Sequence, residues 1–125
     1  MATKTNTNTP GKPAEIRNMR KACDLAVKLR LEKGLPWKEV LEKTQLNYSQ
    51  AWLAVEAHKA QEAGAIVPEK QRTAAKVVEL RNQFEAEGKK DSWGLIMVRF
   101  GYHPANDRDE NKGSTHGAIR KMFTE

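Results

Sequence analysis

The sequence predicts an all-α protein, and three observations lead to that prediction. Apolar residues recur at spacings of three and four, which is the period of one face of a helix. No segment alternates apolar and polar residues in the manner of a half-buried strand. The order of segments is also repeated along the chain, and each copy reads as a longer helix, a short helix that begins near a Trp, a break and a last helix.

Residues at matching places carry this internal repeat. The first copy reads Leu29-Arg30, Gly34, Trp37 and Val40-Leu41, and the second reads Leu80-Arg81, Gly88, Trp93 and Ile96-Met97. In both copies an apolar or aromatic residue follows the Trp after nine positions, Leu46 in the first and Tyr102 in the second. This order of helices is the helix-turn-helix plan, in which the last helix enters the major groove of DNA.

The repeat divides the chain into four segments. We expect a polar tail over residues 1–12, a first helix-turn-helix unit over residues 13–64, a linker over residues 65–72 and a second unit over residues 73–125. The tail has almost nothing to bury, so we expect it to be disordered, with an arm that tracks DNA as the alternative. A unit of about 50 residues is near the lower limit for independent folding, so the two units are expected to share an interface or to pack as one domain.

Start and stop signals place the helices within each unit. We expect helices over residues 14–33, 36–43 and 48–63 in the first unit and over residues 73–87, 92–99 and 115–124 in the second. Gly34, Gly64 and Gly88 each follow a last turn, as glycine commonly does. Asp91 or Ser92 is expected to cap the fifth helix. The long polar loop from Gly101 to Gly113 is expected to be flexible, with contact to DNA or to a protein partner as the alternatives.

Charge favours a polyanionic partner. The chain of 125 residues carries a net charge of +6 and has a pI of about 9.6. The basic excess is spread over both halves, with +4 in residues 1–62 and +2 in residues 63–125. Such a surplus favours nucleic acid as the partner. The alternative is a soluble protein whose positive net charge has no role in binding.

Several functional classes find no support in the sequence. Cys23 is the only cysteine, so no intrachain disulfide forms, and it is expected to be a small core residue. The three His show no zinc-site spacing, and neither His103 nor His116 has a carboxylate or thiol at catalytic spacing. We therefore expect no enzyme, no metal and no cofactor. No apolar run approaches about 18 residues, so we expect no membrane contact and an intracellular location.

Two helices are candidates to read DNA. Around the third helix, the residues spaced to face the core are Leu46, Trp52 and Val55. For Trp52, a place in the core is favoured over a role as a stacking platform for bases. The residues expected to face outward there are Asn47, Ser49, Gln50 and Leu53. Packing of this helix on the second unit or on a partner is the alternative to DNA binding. In the last helix, the outward residues are expected to be Thr115, His116, Arg120 and Lys121.

The predicted DNA contacts follow from the chemistry of these side chains. Gln pairs with adenine, Arg forks onto guanine, and Ser or Thr at a helix start donates to phosphate. The full set of predicted DNA-binding residues is Asn47, Ser49, Gln50, Arg99, Lys112, Ser114, Thr115, His116, Arg120 and Lys121.

The second unit resembles a known family. The segments from Ser92 to Tyr102 and from Ser114 to Phe123 are similar to the second and third helices of small homeodomain-like helix-turn-helix proteins of phages and bacteria, which commonly read W-x-x-I-A-x-R-x-G and S-x-x-x-V-R. In the first unit, the segment from Leu35 to Val55 resembles the same family pattern more weakly. The insertion between Tyr102 and Ser114 departs from the family's tight turn. The resemblance implies a small phage-type transcription regulator that binds specific double-stranded DNA with two recognition helices.

Two other functions remain open at this stage. A protein-interaction module that binds RNA polymerase or another host protein agrees with the near-balance of charge in residues 63–125. An architectural DNA-binding protein without sequence preference is the third possibility.

Overall fold

The computed structural model describes residues 13–124 of the chain, and side chains from Asn18 onward. The predicted tail over residues 1–12 lies outside the described residues. Six α-helices follow one another: α1 Pro13–Val27, α2 Trp37–Thr44, α3 Tyr48–Glu62, α4 Ala74–Ala86, α5 Ser92–Arg99 and α6 His116–Thr124. No strand occurs among the described residues, so the all-α prediction is confirmed. None of the described helices is long and apolar enough to cross a membrane.

The helix ends agree with the capping signals. The backbone of α1 continues as a π-helical turn, Lys28–Glu32, and this extended helix stops before Gly34, whose φ is +67°. Thr73 accepts a hydrogen bond from the backbone N–H of Lys76 at 3.3 Å and so caps α4. Asp91, rather than Ser92, caps α5. These side chains satisfy backbone donors that a helix leaves free in its first turn.

The first core lies among α1, α2 and α3. Its members are mostly small, and they are Cys23, Ala26, Val40, Leu46, Ala51, Ala54 and Ala105. Ala51 and Ala54 are fully buried between α3 and α1. Because their side chains are small, the two helices can pack closely. Cys23 is fully buried here, and burial together with the nearby Asp24 carboxylate raises the pKa of its thiol to about 11.

The second core lies among α4, α5 and α6. Its buried members are larger, and they are Val67, Val77, Leu80, Phe84, Ile96, Met97, Phe100 and Ile119. Complete burial of a side chain of this size stabilises the fold by about 1.5–3 kcal/mol. The second unit therefore has an apolar core of its own.

Helix α3 joins the two cores. It contacts α1 and α2 on one side and α5 on the other. Ala57 and Ala60 form a separate buried cluster with Val98 of α5, and Leu53 packs against it. Leu53 was expected to face outward, and that expectation is wrong because α5 covers this side of α3.

Gly94 of α5 lies close against the Trp52 side chain of α3. A Cβ atom built on Gly94 would lie 2.9 Å from Cζ3 of Trp52 and 2.8 Å from Oδ2 of Asp91. Real Cβ atoms do not approach other atoms that closely, so only glycine lets the Trp52 ring lie against α5. Trp52 is half-buried at this contact.

Residues of the loop before α6 hold the second half of the chain against the first. Ala105, from the loop before α6, is 2% exposed and lies in the first core. Beside it, Arg20 of α1 donates a hydrogen bond to Oδ1 of Asn106 at 3.0 Å. The Val67 backbone N–H also donates to the carbonyl oxygen of Arg99 at 2.7 Å, which ties the linker to the end of α5.

The connections within the two units differ in length. Three residues separate α2 from α3, and the first of them, Gln45, has a left-handed backbone with φ of +63°. A turn of three or four residues is typical of a helix-turn-helix. Sixteen residues, 100–115, separate α5 from α6. Outside these turns, the side chains of Leu25 in α1 and Val78 in α4 are 38% and 39% exposed.

Candidate nucleic-acid interface

Helix α6 presents a polar and basic face. His116, Arg120 and Lys121 are exposed, and no acidic residue occurs between His116 and Thr124. The opposite side of α6 fixes this orientation, because Ile119 is fully buried in the second core. The prediction that these residues face outward is confirmed for this helix.

The start of α6 is capped by Thr115. Its Oγ1 accepts a hydrogen bond from the backbone N–H of Ala118 at 3.2 Å, and Thr115 itself is exposed. The free backbone donors and the dipole of a helix N-terminus both favour negative charge. Thr115 and His116 are therefore exposed at an end of α6 that favours negative charge.

Trp93 forms the base beneath this face. The guanidinium carbon of Arg120 lies 5.5 Å from the centroid of the Trp93 ring. The His116 ring meets Trp93 edge-on, with centroids 6.2 Å apart and an interplanar angle of 73°. Phe123 meets it in the same way at 5.2 Å and 83°. Contacts of this kind restrict the directions available to the two exposed side chains.

Arg81 of α4 holds the Trp93 ring from another direction. Its guanidinium carbon lies 4.3 Å from the ring centroid. The same group donates to Oγ of Ser92 at 2.9 Å and forms an ion pair with Glu85 at 2.9 Å. Because both terminal nitrogens have partners, the Arg81 guanidinium is fixed, and it positions Trp93 under α6.

The first unit has a matching arrangement. The guanidinium carbon of Arg30 lies 4.6 Å from the Trp37 ring centroid, and Arg30 donates to the carbonyl oxygen of Leu35 at 3.0 Å. Tyr48, the first residue of α3, meets Trp37 edge-on at 5.3 Å and 76°, as His116 meets Trp93. These roles of Arg30 and Arg81 were not predicted from the sequence. The signal was present, since each arginine follows a leucine at the same place in the repeat.

Asn47 and Gln50 are occupied at the start of α3. Oδ1 of Asn47 accepts from the Gln50 backbone N–H at 2.8 Å, and the Asn47 backbone N–H donates to Oε1 of Gln50 at 3.1 Å. The two side chains thus form a capping box. Both were predicted to contact DNA; the structure gives each a role in capping α3, and their contact with DNA stays a prediction.

Ser114 does not reach the surface. It is 2% exposed, and its Oγ donates to the carbonyl oxygen of Asn111 at 3.1 Å. The predicted contact between Ser114 and DNA is therefore wrong, because the loop before α6 folds over this side chain. Lys112 is exposed in the same loop.

The loop before α6 is closed by its own hydrogen bonds, whereas a flexible connection was expected. Asn111 is 8% exposed, donates to the His103 carbonyl oxygen at 3.0 Å and accepts from the His103 backbone N–H at 3.1 Å. Asp107 and Glu110 each accept from the other's backbone N–H, at 2.8 and 3.0 Å. Side-chain amides and carboxylates of the inserted residues thus supply the partners that their backbone requires.

The remaining predicted residues lie on a different surface. Ser49 and Arg99 both line a groove between α3 and α5. Leu95 and Val98 of α5 also line that groove, while Trp93 and Ile96 face the second core and α6. Given the helical period, these are opposite faces of α5. The ten predicted residues therefore do not form one surface.

No cluster of three or more His, Cys, Asp or Glu side chains that could hold a metal ion occurs within residues 13–124. Comparisons of this chain with family models, with curated proteins and with solved structures found no match.

Proposed function

We propose that this chain binds double-stranded DNA with a preference for sequence, that α6 is the helix that reads the DNA, and that the protein acts as a small transcription regulator. The observation that carries this proposal is the exposed face of α6, where His116, Arg120 and Lys121 lie together on a helix without an acidic residue. The net charge of +6 supports it.

The side chains on α6 suit the two kinds of contact that a DNA reader needs. An Arg makes two hydrogen bonds to the major-groove edge of guanine, and such a pair contributes about 1–3 kcal/mol of discrimination against other bases. Lys121 and the capped N-terminus next to Thr115 suit phosphate oxygens, which set position rather than sequence. Arg120 is therefore the best candidate for specificity.

Helix α3 is the weaker candidate as a second reader. Its middle is covered by α1 on one side and α5 on the other. Only the first turn, around the exposed Tyr48 and Ser49, and the far end of the helix remain accessible. We therefore place the main recognition on one helix rather than on two equivalent heads.

Selection from a pool of random duplexes at about 150 mM salt, with sequencing of the retained DNA, tests this function. The proposal predicts one short enriched motif. A motif in two parts about 34 Å apart would instead restore α3 as a second reading helix. Retention without any motif would support architectural binding, and no retention even at low salt would contradict DNA binding altogether.

A further inference from the structure

A groove between α3 and α5 has no role in the proposed DNA contact. It has a volume of about 750 Å³ and also touches the C-terminal end of α4. Its floor is apolar and includes Trp52, Leu95 and Val98. This volume is within the range of sites that accommodate a bound molecule, about 300–1,000 Å³.

The carboxylates in the groove are already engaged within the chain. Glu56 forms an ion pair with Lys59 at 3.2 Å. Asp91 accepts a hydrogen bond from a backbone N–H in the first turn of α5 at 2.9 Å. Glu87 accepts from the side-chain amide of Gln83 at 3.3 Å. Each negative charge therefore has a donor nearby.

The cations at the α4–α5 end of the groove are not neutralised in the same way. Lys89 and Lys90 are exposed, and neither has a carboxylate within 4.0 Å among the described residues. The guanidinium carbon of Arg99 lies 5.0 Å from the Phe84 ring centroid, and Arg99 forms no ion pair with the described residues either. An apolar floor is thus bordered by three positive side chains.

We propose that this groove binds an acidic segment of a partner protein that carries a large apolar side chain. The apolar side chain would lie on Trp52 and Leu95, and the carboxylates would face Lys89, Lys90 and Arg99. Opposite charge across such a surface sets the orientation of the partner, while burial of the apolar side chain supplies affinity.

The lining of the groove favours a peptide over nucleic acid. Trp52, Leu95 and Val98 provide an apolar surface that can bury a large side chain of a peptide. The apolar floor offers a phosphate no partner. The groove and α6 also lie on opposite faces of α5, so a partner bound here leaves the DNA-reading face free.

Selection of random displayed peptides on the immobilised full-length protein is the first experiment. We expect enriched peptides to carry several acidic residues next to an aromatic or large aliphatic residue. The tightest of them is then synthesised with a fluorophore, and its affinity is measured by fluorescence anisotropy. No enrichment, or enrichment of basic or purely polar peptides, would overturn the proposal.

Charge reversal identifies the surface that holds the peptide. The double variant Lys89→Glu/Lys90→Glu is expected to weaken binding of the selected peptide about tenfold or more, which is about 1.4 kcal/mol. The double variant Lys28→Glu/Lys33→Glu makes the same change in net charge at exposed positions outside the groove, and is expected to leave the affinity within about twofold. Equal losses in the two variants would overturn the assignment to the groove.

All four substituted lysines are exposed, so both double variants are expected to fold, and thermal unfolding checks this. Backbone amide shifts of ¹⁵N-labelled protein give a second readout. The selected peptide is expected to shift residues near Trp52 and Leu95, and shifts confined to α6 would overturn the proposal.

Binding of the duplex enriched in the DNA selection separates this inference from the proposed function. The Lys89→Glu/Lys90→Glu variant is expected to lose no more DNA affinity than the Lys28→Glu/Lys33→Glu control. A selective loss of DNA binding in the former would assign the groove to nucleic acid and overturn the peptide proposal. Failure of DNA binding by the unaltered protein leaves the peptide experiment intact.

Discussion

The guanidinium carbon of Arg81 lies over the Trp93 ring, 4.3 Å from its centroid. Arg30 and Trp37 repeat this relationship at 4.6 Å in the first half of the chain. The first residue of the last helix in each unit then meets the Trp edge-on. The internal repeat of the sequence therefore corresponds to a repeated packing unit of arginine, tryptophan and an aromatic ring.

Replacing Arg81 by Lys tests the contribution of this unit to stability. Lys keeps the charge but loses the planar stacking on Trp93 and the fork that reaches Ser92 and Glu85. We expect the free energy of unfolding in urea to fall by about 1–2 kcal/mol. Arg108→Lys, at an exposed position of the loop, is the matched control and is expected to change stability by less than about 0.5 kcal/mol. Equal effects would mean that the stacking contributes nothing.

A methyl group at Gly94 tests the contact between the two halves of the chain. Gly94→Ala forces Trp52 or Asp91 to move, so we expect a loss of about 1–3 kcal/mol in the free energy of unfolding. Gly117→Ala is the control, because a Cβ there meets nothing within 4 Å. That substitution is expected to be neutral or slightly stabilising, since Ala favours helix more than Gly does. An unchanged stability of Gly94→Ala would exclude the close approach.

The role of Asn47 is tested by its two simplest replacements. Asn47→Ala removes the cap of α3 and is expected to lower the free energy of unfolding by about 0.5–2 kcal/mol. Asn47→Asp keeps an acceptor in place and is expected to restore most of that loss. DNA affinity of the Asp variant measures the other role, because a residue that only caps the helix leaves this affinity close to that of the unaltered protein. Loss of DNA binding without loss of stability in Asn47→Ala would favour a direct contact.

Acid is expected to destabilise the loop before α6 through His103. Nδ1 of His103 accepts a hydrogen bond from the Ala105 backbone N–H at 2.9 Å, which requires an unprotonated nitrogen. Burial lowers the pKa of His103 below its usual 6.5, and Arg20 lowers the pKa further, while Asp24 and Glu110 act in the opposite direction. As the pH falls, His103 is therefore protonated in the unfolded chain at a higher pH than in the folded protein. The stability that neutral His103 supports is complete above pH 6.5 and is lost as the pH falls below it.

Urea unfolding from about pH 7.5 to about pH 5.5 measures this effect. His103→Asn retains an acceptor for the Ala105 N–H but has no proton to gain in this range. We expect the variant to show a smaller decrease in stability than the unaltered protein, and the difference isolates His103 from the other two histidines. Identical pH profiles would contradict the proposed hydrogen bond.

The sequence predicted the helices well because their ends carry local signals. Gly34, Thr73 and Asp91 each act within a few residues of their own position, so the boundaries of α1, α4 and α5 were close to those observed. The buried face of α6 followed from its period alone. These features depend on neighbours along the chain, which the sequence contains directly.

Contacts between distant segments were the part that the sequence did not predict. Leu53 faces α5 rather than solvent, and Ala105 lies in the core of the other half of the chain. Ser114 is buried because the inserted loop folds back through Asn111. None of these depends on the period of its own segment. For the candidate site, this is why the outward face of α6 was predicted correctly, while Leu53 was expected on an open face of α3 that α5 covers.

The affinity of Arg120→Ala for the duplex enriched from the random pool tests the central claim most directly. Its control is Lys33→Ala, which removes one exposed positive charge just after the π-helical turn. Fluorescence anisotropy at about 150 mM salt is expected to show a loss of about 1–3 kcal/mol for Arg120→Ala and relaxed preference at one base pair, with a smaller and sequence-independent loss for the control. Equal affinities of Arg120→Ala and the unaltered protein would contradict recognition by α6.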